Sequence, residues 1–76
     1  MKEVLELIIK SLVDNADAVS IEETVTDKAI DLKVKVEEND MGKVIGKQGK
    51  IAKSIRTLMK SLSAKEGKRV NIEFLD

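Results

Sequence analysis

Residues 44–52 read Val-Ile-Gly-Lys-Gln-Gly-Lys-Ile-Ala, and they carry most of the information about the architecture of this chain. Gly46 and Gly49 stand three positions apart, with apolar residues on both sides of the pair. Glycine adopts positive φ angles without strain and leaves the backbone accessible to a ligand. The stretch therefore predicts a tight, exposed turn between two helices.

The segment around this turn is strongly basic. Residues 41–60 hold six Lys and Arg side chains and no Asp or Glu, whereas the other 56 residues hold 8 basic and 14 acidic ones. The chain as a whole has a net charge of zero. A neutral protein that concentrates its positive charge beside one turn has the electrostatic footprint of a nucleic-acid or phosphate site.

Apolar periodicity divides the first half of the chain into a helix and two strands. Spacings of three and four predict a helix over residues 3–14. Its predicted inward stripe is Val4, Leu5, Ile8, Ile9 and Leu12. Strict alternation at residues 30–36 predicts a half-buried strand, and a polar turn at residues 26–28 joins it to a less regular strand before it.

Two more helices and a last strand follow. Asp40 is placed to N-cap a short helix over residues 41–45, and a longer helix is predicted from Gly49 to about Lys65. The predicted inward stripe of the longer helix is Ile51, Ile55, Leu58 and Leu62. Alternation at residues 70–74 predicts the last strand. The chain is therefore expected to form one α+β domain over residues 1–76.

Composition excludes several classes of protein. The chain has no cysteine and no histidine, so we expect no disulfide, no metal site and no cofactor. No apolar run reaches the ~18 residues of a membrane span, so we expect a cytoplasmic protein that does not enter a membrane. The glycine spacing of a P-loop is missing, and no apolar pocket is indicated around the acidic pairs. We therefore predict a protein that is not an enzyme.

The glycine turn could hold a phosphate. Gly49 opens the longer helix, whose first N–H groups lack intrahelical partners and whose dipole is positive at that end. Lys47 and Lys50 add positive charge, and Gln48 offers an amide that can donate to a phosphate or a base edge. The charge extends along the helices through Lys43, Lys53 and Arg56. The simpler alternative is that the glycines only permit a tight turn and the lysines form a solvated face.

In the run at residues 44–57 and in the order of its elements, the chain resembles the KH domain. More narrowly, it is similar to the small bacterial single-KH RNA-binding proteins of the KhpA type, over essentially residues 1–76. The resemblance implies the type II KH fold, α-β-β-α-α-β, with a three-stranded sheet and three helices on one face. The general KH pattern has isoleucine three residues after the second glycine, where this chain has Ala52. The cleft wall at that position therefore differs from the pattern.

The resemblance also implies a function. A KH domain binds single-stranded RNA without catalysis, and its GxxG loop clamps the backbone of about four unpaired nucleotides. The bases are expected in an apolar groove between the helices and the second strand, and the implied role is that of an RNA chaperone or post-transcriptional regulator. The motif implies contacts from Ile45, Gly46, Lys47, Gln48 and Gly49. Charge and helical phase add Lys43, Lys50, Lys53 and Arg56.

The alternative function is a protein-interaction module. The longer helix has more apolar residues than one inward stripe needs, because Leu58 and Met59 lie about 100° apart on it. Under this alternative Leu58, Met59 or Leu62 lines a homodimer interface, or an interface with a larger KH-containing partner. Phe74, the one aromatic residue, is predicted to be core, which argues against RRM-like and OB-like binders that stack bases on aromatic platforms. Single-stranded DNA is a weaker alternative ligand, although backbone clamping alone does not distinguish it from RNA.

Overall fold

The computed structural model describes residues 1–75 and shows three α-helices and one three-stranded sheet within them. The helices and strands are α1 (Lys2–Leu12), β1 (Ser20–Val25), β2 (Ala29–Lys35), α2 (Met41–Ile45), α3 (Lys50–Ala64) and β3 (Arg69–Leu75). This order confirms the predicted α+β architecture. None of the helices in residues 1–75 combines the length and the apolarity that a membrane crossing needs.

The central strand of the sheet is β2. β1 pairs with it antiparallel, with Val25 opposite Ile30, and β3 pairs with it parallel, with Phe74 opposite Val34. A parallel neighbour requires a crossover connection, and the segment at residues 36–68 supplies it. This segment contains α2, the glycine turn and α3, so the crossover carries the candidate site, and its longer helix packs against β3.

The first helix buries a narrower face than its sequence predicts. Leu5 and Ile9 are fully buried, and Val13, just beyond the helix, joins the same core. Val4 and Leu12 are predicted to face inward, yet they are 41% and 37% exposed. An amphipathic helix on one sheet buries a stripe little wider than about 100°. The apolar arc of α1 is wider than that, so part of it stays in solvent.

The third helix is rotated relative to its predicted inward stripe. Its buried residues are Ala52, Ile55, Met59 and Ser63. Leu58, predicted to be inward, is 47% exposed, whereas Leu62 packs partly against the core. The hydroxyl of Ser63 donates to a carbonyl oxygen of its own helix at 3.1 Å, so this small polar residue is buried without an unpaired group. Met59 is fully buried, which removes it from the candidate interface.

Candidate nucleic-acid interface

The turn between α2 and α3 has a backbone that favours glycine at two positions. Gly46 has φ 77° and ψ 175°, a combination that is essentially restricted to glycine. Gly49 has φ 74° and ψ 15°, which is left-handed. Between them, Gln48 also has a positive φ of 58°. Such values are uncommon outside glycine and cluster where a loop clamps a ligand, a feature of Gln48 that the sequence alone did not indicate.

The two glycines serve the turn for different reasons. A Cβ atom added at Gly46 would lie 2.6 Å from Cγ1 of Ile51, so the side chain of Ile51 fills the space over this glycine. A Cβ atom added at Gly49 would meet nothing within 4 Å among the described residues. Gly46 is therefore required by packing as well as by conformation, whereas Gly49 leaves open space at the start of α3.

The start of α3 is suited to an anion. Within residues 1–75 no side chain caps this end, and the first turn holds no acidic residue. The N-terminal N–H groups of a helix that lack such caps carry the positive end of its dipole. Lys47 and Gln48 lie exposed in the turn, and Lys50 begins the helix. A phosphate at this point would meet backbone donors and ammonium groups together.

A groove with a volume of about 620 Å³ lies beside the turn. Ile45 lines it from α2, and Ile72 and Phe74 line it from β3. The second strand, predicted to border the groove, lines it through Asp31, Leu32 and Lys33. β3, which pairs in parallel with β2, also lines the groove and forms its outer wall.

The side chain of Arg56 lies across this wall. Its Nε–H donates to the carbonyl oxygen of Ile72 at 3.3 Å, and its guanidinium carbon is 5.3 Å from the centre of the Phe74 ring. The second contact is a cation–π interaction. Phe74, predicted as core, is half-buried: it packs against the core, and the guanidinium of Arg56 lies over one face of its ring. Arg56, predicted as an RNA contact from charge and helical phase, is therefore held against β3 at the groove.

The other predicted cations differ in their partners. Lys47, Lys50 and Lys53 are exposed, and none of them pairs with a carboxylate of residues 1–75. The groove also carries acidic groups, since Asp31 and Glu73 line it near the outer face of the sheet. Positive charge is therefore concentrated on the side of the turn and α3, which is where a phosphate backbone would lie.

Lys43, which was also predicted as an RNA contact, has carboxylate partners. Its ammonium group pairs with the carboxylate of Asp14 and lies 3.4 Å from that of Asp40. The hydrogen bond to Asp14 is the main cause of its raised pKa. Lys43 therefore differs from the other predicted RNA contacts, because the carboxylates of Asp14 and Asp40 partly offset its positive charge.

Asp40 has a different role from the predicted one. It directly precedes α2, as expected of an N-cap, but its side chain makes no capping hydrogen bond to that helix within the described residues. Its buried carboxylate accepts a hydrogen bond from the backbone N–H of Asn15 at 2.9 Å, and this bond lowers the pKa of Asp40. Asp40 therefore connects the start of α2 to the segment after α1.

Known proteins are similar to this chain over nearly its whole length. The family model described as "KhpA/KhpB, KH domain" matches residues 2–74. The RNA-binding protein KhpA of Clostridium acetobutylicum is 53% identical over 75 residues, which cover 99% of this chain and 100% of that protein. KhpA of Clostridium perfringens is 51% identical over the same shares of the two chains. KhpA of Aquifex aeolicus is 42% identical over 76 residues, which cover 100% of this chain and 96% of that protein.

Proposed function

The chain belongs to the KhpA/KhpB family of KH domains, which is not a family of enzymes, and from this membership we propose that it binds single-stranded RNA. The proposal rests on the glycine turn and the groove, which lie side by side. The turn with Gly46 and Gly49 opens the uncapped end of α3, and it lies beside a groove bordered by β3. Backbone phosphates bind at the turn, and the bases enter the groove.

The phosphates are held by backbone and side-chain donors together. The start of α3 has no side-chain cap, and a Cβ atom at Gly49 would meet nothing within 4 Å, so a phosphate diester can approach this end of the helix. Lys47 and Lys50 neutralise phosphate charge, and Gln48 donates from its amide. Lys53, one turn further along α3, is placed for a neighbouring phosphate. Contacts of this kind fix the position of the RNA but carry no sequence information.

The bases meet a mostly apolar surface. Ile45 lies on one side of the groove, and Ile72 and Phe74 lie on the other. The planar guanidinium of Arg56 can stack against a base, which supplies a flat partner in a chain with one aromatic residue. A short groove of this type discriminates weakly between sequences. We propose on this ground that the protein acts in the cytoplasm as an RNA chaperone or post-transcriptional regulator.

The test is fluorescence anisotropy with a mixed-sequence single-stranded RNA of about twelve nucleotides. The variant is the double substitution Lys47→Asp/Gln48→Asp, which reverses the charge of the exposed turn. The matched control is Lys65→Asp/Asn39→Asp, which changes the net charge equally at exposed positions outside the turn and the groove. Circular dichroism checks that both variants are folded.

The expected result is binding by the wild type and by the control, and loss of binding by the turn variant. The logarithm of the wild-type association constant should fall with the logarithm of salt concentration, at a slope of about −0.7 per neutralised phosphate. Equal loss in the turn variant and the control would show that only net charge matters, and this result would contradict a site at the turn.

A second candidate function, protein–protein association, is favoured by the outer face of α3. Leu58 is 47% exposed and lies beside the smaller side chains of Ser54, Thr57 and Ser61, with Lys53 at the border of the same surface. Small side chains around one leucine allow a second helix to approach closely. We propose that Leu58, with the half-buried Leu62, lines a homodimer interface or one with a larger KH-containing partner. Two grooves in one assembly would also raise the avidity for RNA.

Light scattering after size-exclusion chromatography tests the homodimer. Leu58→Asp should convert a dimer to a monomer, whereas Leu7→Asp should not. Leu7 is a suitable control because it is also an exposed leucine on a helix, at 70% exposure on α1. A wild type that is monomeric at tens of micromolar, and is unchanged by Leu58→Asp, would contradict the homodimer.

A further inference from the structure

The groove does not end at Arg56. A second cavity, of about 270 Å³, is lined by Arg56, Lys60, Val70, Asn71 and Ile72. It shares Arg56, Asn71 and Ile72 with the larger groove, so the two cavities are neighbours along β3. The hydrogen bond to Ile72 and the ring of Phe74 hold the Arg56 side chain at this shared boundary.

The wall common to both cavities is an unpaired strand edge. Within residues 1–75, β3 pairs with β2 alone. The carbonyl of Ile72 points to the free side, since it accepts the bond from Arg56. In a parallel ladder the N–H and C=O groups of alternate residues point to the same side. Val70 therefore directs a backbone donor and a backbone acceptor toward the second cavity.

The charge of the second cavity suits a phosphate better than that of the first. Lys60 follows Arg56 by four residues, so the two cations lie on the same flank of α3. Lys60 is exposed and pairs with no carboxylate of residues 1–75. No acidic residue lines this cavity, whereas Asp31 and Glu73 line the larger one.

We propose that RNA continues past the four nucleotides of the GxxG groove and occupies the second cavity. The ammonium group of Lys60 binds the phosphate of a further nucleotide, and the backbone edge at Val70 and Ile72 contacts its base. Arg56 lies between the last base of the larger groove and the first base of the second cavity. The helical rise places Lys60 roughly 15 Å along α3 from the turn, beyond the positively charged end of the helix. This inference rests on the proposed RNA binding and extends its site.

The experiment compares RNA lengths. A mixed-sequence tetranucleotide is titrated beside two hexanucleotides that extend it by two nucleotides at the 5′ end or at the 3′ end. Binding to ¹⁵N-labelled protein is followed by NMR. The variant is Lys60→Glu, and the matched control is Lys65→Glu, an equal charge reversal on the opposite flank at the end of α3.

One hexanucleotide should bind about tenfold more tightly than the tetranucleotide, the gain expected of one further charge-assisted hydrogen bond. The other should gain little, because only one end of the strand reaches Lys60. The amide signals of Val70 and Ile72 should shift only with the favoured hexanucleotide. Lys65→Glu should keep the gain and Lys60→Glu should abolish it.

Two results would overturn the extension while leaving the proposed function intact. Either both hexanucleotides bind no more tightly than the tetranucleotide, or Lys60→Glu and Lys65→Glu retain the gain equally. Tetranucleotide binding that shifts the amides of the turn, and disappears in Lys47→Asp/Gln48→Asp, reports on the GxxG groove separately. No binding of any of the three RNAs by the wild type would overturn the groove and its extension together.

Discussion

Replacing Gly46 by alanine should destabilise the protein far more than replacing the other glycines near the turn. The alanine would have to adopt φ 77° and ψ 175°, which costs about 1–3 kcal/mol. Its Cβ would also lie 2.6 Å from Cγ1 of Ile51, so the side chain of Ile51 must move. Forced repacking of this kind costs about 1–3 kcal/mol. The two effects together predict a loss of about 2–6 kcal/mol in the free energy of unfolding.

Two other glycines provide matched comparisons. Gly49→Ala places a Cβ in open space, so only the left-handed conformation is unfavourable, at about 1–2 kcal/mol. Gly42 lies inside α2, its φ is not positive, and a Cβ there meets nothing within 4 Å. Gly42→Ala should therefore stabilise the protein by about 0.5–1 kcal/mol, because alanine is the better helix former. The three substitutions add the same methyl group and differ only in where it is placed.

The assay is urea denaturation followed by circular dichroism. A domain of this size has a free energy of unfolding of roughly 4–11 kcal/mol, so Gly46→Ala should lower the midpoint severely or leave the chain partly unfolded in water. Ile51→Ala removes Cγ1 and Cδ1, two of the three atoms that a Cβ at Gly46 would approach within 3 Å. The double substitution should therefore cost less than the sum of the two single ones. A loss at Gly46 no larger than that at Gly49 would refute the packing argument.

Three further predictions concern stability. The pKa of Asp40 is held below 3.8, chiefly by the N–H of Asn15. The ionised carboxylate of Asp40 therefore contributes fully to the stability of the fold above about pH 3.8, and this contribution is lost as the pH falls through the lower pKa of the folded state. Asp40→Asn should remove this part of the acid unfolding transition, which circular dichroism measures. In the β1–β2 turn the hydroxyl oxygen of Thr26 accepts a hydrogen bond from the backbone N–H of Ala29 at 3.0 Å. Thr26→Ala should therefore lower the free energy of unfolding by about 1 kcal/mol, as measured by thermal denaturation, and Thr26→Ser should lower it much less. Met59→Asp should unfold the protein because it buries a charge, whereas Leu58→Asp should leave the circular dichroism spectrum unchanged.

Local patterns predicted the elements of this fold well. The short helix was predicted at residues 41–45 and is observed at Met41–Ile45, and the last strand was predicted at residues 70–74 and is observed at Arg69–Leu75. Strict alternation in β2 also identified its buried face, with Ile30, Leu32 and Val34 inside. These features depend on neighbours within a few residues, which is the range over which hydrophobic periodicity carries information.

The orientation of α3 was harder to predict, because it depends on which residues of the sheet pack against the helix. Hydrophobicity alone predicts that Leu58 faces inward and Ser63 faces solvent, yet Ser63 is buried and Leu58 is exposed. The usable signal was the spacing of Ala52, Ile55, Met59 and Ser63, which is as regular as that of the predicted stripe. A small serine that bonds within its own helix can face a sheet at close distance, whereas a leucine needs more room.

The partners of the charged side chains at the site were also hard to predict, because they depend on residues distant in the sequence. Residues 41–60 contain six cations, but the fold brings Asp14 to Lys43 across 29 positions of sequence, and the edge strand holds Arg56. The cations of this segment that pair with no carboxylate of residues 1–75 are therefore Lys47, Lys50, Lys53, Arg56 and Lys60, all on the turn or on α3. In a chain with zero net charge, attraction to a polyanion acts over about one Debye length, ~8 Å at physiological salt. Recognition must then come from the local arrangement at α3, so moving one of these lysines to another face should weaken binding even though the composition stays the same.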